Sequence, residues 1–212
     1  HQKILEEGPW LSEEVRADIG ARVVAGAKAV GYKGLATFEF LRDSHGEFYF
    51  LEVNPRVQVE HTVTEMITGH DLVSLGIRVA SGESLPLSQE EIQILGHAIQ
   101  VRLNAEDPRT LEPSPGRLWE CHWPAGPGVR VDTHAHTGYD MPPSFDSLLA
   151  KLIVWGSDRN EAIRRLDAAL AETMILGVET LIPLHRAILS EEDFLNRDVT
   201  IRYLEEHPNL LN

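Results

Sequence analysis

The run Phe48-Tyr49-Phe50-Leu51-Glu52-Val53-Asn54-Pro55-Arg56-Val57-Gln58-Val59-Glu60-His61 constrains the fold more tightly than any other stretch of the chain. It opens as an apolar strand, and its second half alternates polar groups with valines. A period of two predicts an extended segment with Arg56, Gln58 and Glu60 on one face and Val57 and Val59 bracing them from the other. A guanidinium, an amide and a carboxylate on one face suit a small anion with a base beside it. The alternative is a solvated edge strand in which Arg56 and Glu60 form a surface ion pair of little energetic consequence.

The surrounding pattern predicts an α+β chain. A helix is expected over Ser12–Val30, with Ser12 as cap, Val15, Ile19, Val23, Ala27 and Val30 as apolar stripe, and Gly31 ending it. Strands Leu35–Leu41 and Phe48–Asn54 follow, joined by a turn containing Asp43, Ser44, His45 and Gly46. Thr62-Val63-Thr64-Glu65 reads as a capping box for a short helix ending near Gly69, and Asp71–Ser81 as a second helix stopping at Gly82. Ser84–Glu91 is a polar connection, which divides the chain into residues 1–90 and 91–212. The second part predicts strands His97–Asn104, Gly116–Trp123, Val129–His134 and Leu148–Trp155. A helix over Arg159–Ile175, with Ile163, Leu166, Ala169, Leu170 and Met174 as its stripe, precedes short helices at Leu181–Leu189 and Thr200–Glu206.

A net charge of −14 argues against a nucleic-acid surface and requires any anion site to be local. No apolar run reaches the length of a membrane span. The single cysteine, Cys121, excludes an intramolecular disulfide and fits a reducing, cytoplasmic setting. His1-Gln2-Lys3-Ile4-Leu5-Glu6-Glu7 reads as mid-domain sequence, so a fragment is expected.

Two carboxylates lie upstream of the polar row. A four-residue hairpin loop, Ser44 to Glu47, pairs Glu39 with Glu52, whose Cβ atoms would lie about 4.5–5.5 Å apart on one face. A divalent cation would convert their repulsion into a binding site, with Asn54 as a further oxygen donor. A loop of three or five residues places the glutamates on opposite faces. Gln100, Arg102 and Asn104 share a strand face, but a lone strand arginine is ordinarily a surface residue. His134 and His136 form an imidazole pair with no evident third metal ligand, and Cys121 reads as a small apolar residue.

Thr37-Phe38-Glu39-Phe40, the run from Phe50 to His61, and Arg102-Leu103-Asn104-Ala105-Glu106-Asp107 closely resemble biotin carboxylases. These ATP-grasp enzymes occur as subunits or domains of acyl-CoA, pyruvate and urea carboxylases. Pro113-Ser114-Pro115-Gly116 and the stretch Pro142 to Leu152 extend the resemblance over nearly the whole chain. It implies the C-terminal part of an ATP-grasp lobe, an antiparallel sheet with helices, followed by the family's C-terminal domain of the same composition. It implies Glu39 and Glu52, supported by Asn54, as ligands of Mg²⁺ or Mn²⁺ beneath ATP, with His1 and Gln2 lining the nucleotide. Lys3, Arg56, Gln58 and the backbone of Val59 are implied to bind bicarbonate, Glu60 to deprotonate it, and Arg102 to stabilise the enolate of biotin.

The implied reaction passes through carboxyphosphate to carboxylate biotin on a carrier protein. A carboxyltransferase is a further partner, as in the carboxylases of fatty acid biosynthesis, and the C-terminal domain is expected to form a homodimer. The family often has Thr at the position of Pro55 and Pro at that of Thr62; Pro55 fixes φ and removes a donor. Asn54-Pro55-Arg56 also occurs in carbamoyl phosphate synthetases, another bicarbonate-activating class, but Gln58-Val59-Glu60-His61 favours the biotin enzyme. A different reading makes the chain a non-catalytic C-terminal dimerisation or interaction module. In either case the isolated chain, lacking a nucleotide-binding domain and glycine-rich lid, is expected to show no turnover.

Overall fold

A computed structural model describes residues 3–211. The chain forms two compact units: Gly8–Leu95, and Gly96 onward together with the segment through Glu7. Among the described residues no helix is long and apolar enough to cross a membrane.

Strand β1 (Leu5–Gly8) leads out of the sheet of one unit into the other. In the Gly8–Leu95 unit, α1 (Glu13–Ala29) begins where the Ser12 hydroxyl accepts the Val15 N–H. Glu13 and Glu14 in the first turn and Lys28 in the last complement the helix dipole. The expected stripe is present: Val15, Ile19, Val23 and Ala27 are half-buried, while Val30 lies beyond the last turn and is exposed. Gly31, at φ +64°, stops the helix in a conformation other residues resist.

Strands β2 (Thr37–Arg42) and β3 (Phe48–Asn54) form an antiparallel hairpin. Its loop differs from the even count that pairs the glutamates. Arg42 faces Phe48, so five residues connect the strands, held by the Asp43 carboxylate accepting the N–H groups of His45 and Glu47 at 2.9 Å. That odd count would separate Glu39 from Glu52. A β-bulge reverses it: Phe40 faces Phe50, Leu51 is skipped, and Glu39 then faces Glu52.

Beyond β3, α2 (His61–Thr68) ends at Gly69 (φ +72°) and α3 (Leu72–Ala80) is capped by Asp71, whose carboxylate accepts the Ser74 N–H at 2.7 Å. The capping box expected at Thr62 does not form. Thr62 lies inside α2, fully buried, and Glu65 instead accepts the Leu72 N–H at 2.8 Å, tying α2 to α3.

The other unit is built on a four-stranded sheet. Strands β4 (His97–Asn104), β7 (Val129–Thr133) and β9 (Leu148–Gly156) join β1 in the order β1-β4-β9-β7, with β9 antiparallel to both its neighbours. Ile99, Val101 and Leu103 of β4 and Leu152 and Val154 of β9 face α4 (Arg159–Glu172), which returns Ala162, Ile163, Leu166, Ala169 and Leu170. These eight-to-nine-residue strands carry a fully buried apolar face, which is the main stabilising term of the unit.

Two sequence expectations shift here. The strand expected over Gly116–Trp123 is two: β5 (Gly116–Arg117) pairs with β8 (Asp140–Met141), and β6 (Glu120–His122) pairs with β10 (Met174–Leu176). The helix expected to reach Ile175 stops at Glu172. Thr173 turns extended while its hydroxyl donates to the Ala169 carbonyl at 2.8 Å, and Met174 joins β10 instead of the core stripe. Short helices α5 (Ile182–Ile188), α6 (Glu192–Leu195) and α7 (Tyr203–Glu206) close the unit.

One buried ion group fastens β1 to this unit. Glu7, with a side chain 6 % exposed, accepts from Arg159 Nε at 2.7 Å and Nη2 at 3.0 Å, and lies 2.7 Å from His97 Nε2. Arg159 also donates to the carbonyls of Phe194 and Leu195 and stacks over the Phe194 ring. Burial pushes the Glu7 carboxyl upward, but hydrogen bonds and charge from His97 and Arg159 outweigh it and hold the group below its ordinary 4.5. A depressed carboxylate stabilises the fold above its unfolded value and loses that contribution as pH falls through the folded one. Glu7→Ala is therefore expected to cost roughly 3–5 kcal/mol, because it strands the buried Arg159 charge. Urea titration checks the loss at pH 7, and a series of titrations at falling pH should show the variant's deficit shrinking below pH 4.5.

Candidate functional site

The register restored by Leu51 places two carboxylates side by side. Glu39 is half-buried and Glu52 exposed, and the Asn54 amide nitrogen bridges them, 3.0 Å from Oε1 of each. Gln58 adds its own amide N–H to Glu39 Oε1 at 3.1 Å. Two neutral donors thus moderate the repulsion of a directly opposed like-charged pair. Among the described residues no three His, Cys, Asp or Glu side chains converge on a metal position. Two carboxylates suit a hard cation that completes its shell with water and substrate phosphates, the usual mode of Mg²⁺. For Asn54 to add an oxygen ligand its amide would have to turn over, since the nitrogen faces the carboxylates.

The expected alternation of Arg56, Gln58 and Glu60 on one face is not what forms. β3 ends at Asn54, and residues 55–60 are irregular. Pro55 supplies the reason: it carries no N–H for the ladder, and the Arg56 N–H turns back to the Asn54 carbonyl at 2.8 Å. Arg56 is exposed, with Nη1 donating to the Val57 carbonyl at 3.2 Å. Gln58 turns inward and is buried. Val57 is 42 % exposed and braces nothing, whereas Val59 is half-buried. Glu60 stands at the N-cap position of α2 without using its carboxylate as the cap. Arg56, Gln58 and Glu60 thus project from a loop at the mouth of a helix, and of the three it is Gln58 that bonds to the carboxylate pair.

The remaining candidates lie in the sheet unit. Gln100 and Arg102 do share a face, and both engage a residue the strand pattern does not single out, Glu6. Gln100 Nε2 donates to Glu6 Oε2 at 2.9 Å; Arg102 donates Nε at 2.8 Å, together with Nη2, to Glu6 Oε1. Asn104 instead donates to Glu106, in the loop after β4, and to Ser147, in the loop before β9. The Arg102 N–H donates to the Ile4 carbonyl at 2.9 Å, so the backbone next to exposed Lys3 is joined to β4. Behind Arg102, His185 is fully buried and its Nε2–H donates to the Arg102 carbonyl at 2.9 Å. Burial lowers the His185 pKa to about 4 against that hydrogen bond, which keeps the ring neutral. Glu6 and His185 escape a reading of the sequence because each acts through tertiary pairing that no local spacing announces. The nucleotide-lining candidates His1 and Gln2 lie outside the described residues.

Elsewhere the less functional readings hold. His134 and His136 pack edge-on against the Tyr139 ring, at 5.0 and 5.9 Å between centroids. Burial raises the Cys121 thiol, which disfavours a nucleophile.

Comparison with known proteins matches two parts of the chain to two family domains. Residues 100–206 match the biotin carboxylase C-terminal domain, and residues 1–88 match the ATP-binding domain of the carbamoyl-phosphate synthase L chain. The chain is 51 % identical to a biotin carboxylase of Haemophilus influenzae over 97 % of its own length and 46 % of that protein's. It is 49 % identical to the chloroplastic biotin carboxylase of Arabidopsis thaliana, over 98 % of this chain and 39 % of the relative. The Hydrogenobacter thermophilus 2-oxoglutarate carboxylase biotin carboxylase domain, a dimer solved with MgADP, ADP and bicarbonate, superposes with a TM-score of 0.97. Identity there is 45 %, over 99 % of this chain and 47 % of that one. The chain spans less than half the length of these curated relatives. A matching C-terminal domain, a matching ATP-binding part and half-identical relatives along its full extent place this chain in the biotin carboxylase family.

Proposed function

We propose that this chain is the C-terminal part of a biotin carboxylase, an ATP-dependent ligase that uses bicarbonate to carboxylate biotin on a carrier protein. The observation that carries the reading is the in-register pair Glu39 and Glu52, held by Asn54 and Gln58 on the segment that leads to Glu60. Glu39 and Glu52 would hold Mg²⁺ or Mn²⁺ jointly with ATP phosphates, and such a cation, when bound, neutralises phosphate charge. His1 and Gln2 are assigned to the nucleotide.

Arg56, Gln58, the Val59 backbone and Lys3 are assigned to bicarbonate. Gln58 is suited to align that anion with the metal carboxylates, because its amide already engages Glu39. Glu60 takes the bicarbonate proton as a bicarbonate oxygen bonds to the γ-phosphorus and the bond to ADP breaks, giving carboxyphosphate. Cleavage of carboxyphosphate then yields CO₂ and phosphate. Phosphate accepts the proton from biotin N1, which bonds to CO₂, while Arg102 stabilises the negative ureido oxygen. A carboxyltransferase consumes the product, a homodimer forms through the C-terminal domain, and the enzyme works in the cytoplasm. The chain on its own is expected to show no bicarbonate-dependent ATP cleavage.

Two experiments on the full-length protein test the assignment. Glu60→Gln should reduce bicarbonate-dependent ATP cleavage at least ~100-fold, the scale of a lost general base, with nucleotide affinity by calorimetry little changed. Loss of nucleotide binding in that variant would show the role to be misassigned. Glu52→Gln should weaken Mn²⁺ binding in the presence of ADP, read by electron paramagnetic resonance, by about tenfold or more.

A further inference from the structure

A row of four charges crosses the sheet of the C-terminal unit. Glu6 lies on β1, Arg102 on β4, Lys151 on β9 and Asp132 on β7, in the order of the strands themselves. Arg102 is directly opposed to Lys151, and Lys151 to Asp132. Directly opposed cross-strand residues share a face, and like charges there repel. Each cation is drawn outward by its own carboxylate: Lys151 Nζ lies 3.3 Å from Asp132 Oδ2, and Arg102 presents Nε and Nη2 to Glu6 Oε1.

Glu6 is itself immobilised. Its second oxygen accepts from Gln100, a side chain with no exposed surface, so the carboxylate is gripped from both ends. Its backbone belongs to the strand that Glu7 fastens to His97 and Arg159. An arginine side chain on a strand ordinarily spreads over several rotamers. Here the guanidinium is fixed by a carboxylate that cannot move, on the side away from Lys151.

We propose that Glu6 is a positioning residue for biotin carboxylation: it holds the Arg102 guanidinium at the β1 side of the sheet, where that charge meets the ureido oxygen of the substrate. This rests on the reading of Arg102 as the group that stabilises the biotin enolate. Glu6 touches no reacting atom. Its contribution is to keep a flexible charge in one geometry, the condition under which a preorganised charge acts on a transition state.

The test uses the full-length enzyme with free biotin as acceptor, comparing carboxylation with ATP cleavage in the absence of biotin. Glu6→Ala should reduce kcat for carboxylation at least about tenfold more than it reduces biotin-independent ATP cleavage, with KM for ATP and bicarbonate shifting less than about twofold. Glu6→Gln, which retains an acceptor oxygen for Arg102, should recover a large part of the loss. In a background of Arg102→Gln, the Glu6→Ala change should add less than about twofold, as expected for residues acting through one another. If Arg102→Gln impairs carboxylation but Glu6→Ala lowers both activities in parallel, or adds its full effect in the Arg102→Gln background, the positioning role is overturned and the Arg102 reading stands. If Arg102→Gln itself leaves carboxylation intact, both fall together.

Discussion

Two adjacent carboxylates on one short strand organise the sheet unit. Successive strand residues face opposite ways, so Glu6 and Glu7 of β1 reach different sides of the sheet. Glu7 goes to the core side, where it neutralises Arg159 and binds His97 with almost no exposure. Glu6 goes to the other side and binds Gln100 and Arg102. Burying an unpaired charge is costly enough that neither Arg159 nor Glu7 tolerates loss of its partner. The strand that secures the fold is therefore the strand that orders the arginine on the opposite face, and the segment bearing Lys3 is its direct extension.

A second instance of parity governs the hairpin. The side-chain period of a strand is two, so a loop of odd length and a single bulged residue each invert the face of everything beyond them. In β2–β3 both occur, at Asp43–Glu47 and at Leu51, and they cancel. The pairing of Glu39 with Glu52 is the result of two irregularities and not of a regular hairpin. An even loop in an unbroken hairpin would pair the same two residues, because the count between the glutamates preserves parity however the irregularity is distributed.

What is legible in the sequence is set by local periodicity and caps. Ser12, Gly31, Asp71 and Gly69 mark helix ends where their side-chain or backbone chemistry requires, and β4 runs over His97–Asn104 as alternation predicts. The polar row looks like a strand only while alternation outweighs Pro55, whose missing N–H ends the ladder. Met174 satisfies the helical stripe, yet Thr173 and the pairing with β6 draw it into a strand, a tertiary preference overriding a local one. Glu6, Glu7 and Arg159 carry no mutual spacing: sheet pairing and helix packing join Glu6 to Gln100 and Glu7 to Arg159 from distant parts of the chain.

The two units also divide the proposed chemistry. Glu39, Glu52, Arg56, Gln58 and Glu60 all lie in Gly8–Leu95, whereas Lys3 and Arg102 belong to the sheet unit. Arg102, the group proposed for biotin, belongs to the same unit as Lys3, one of the residues proposed for bicarbonate. The Arg102 N–H donating to the Ile4 carbonyl joins those two contributions through the backbone, and Glu6 joins them through a side chain. A displacement of β1 would consequently move Lys3 and the Arg102 guanidinium together. Coupling of that kind suits a reaction in which the product of the first step, made at one group, is the reagent for the second, made at the other. On the proposed reading, Lys3 and Arg102 act on successive steps, and both are tied to β1 and its extension.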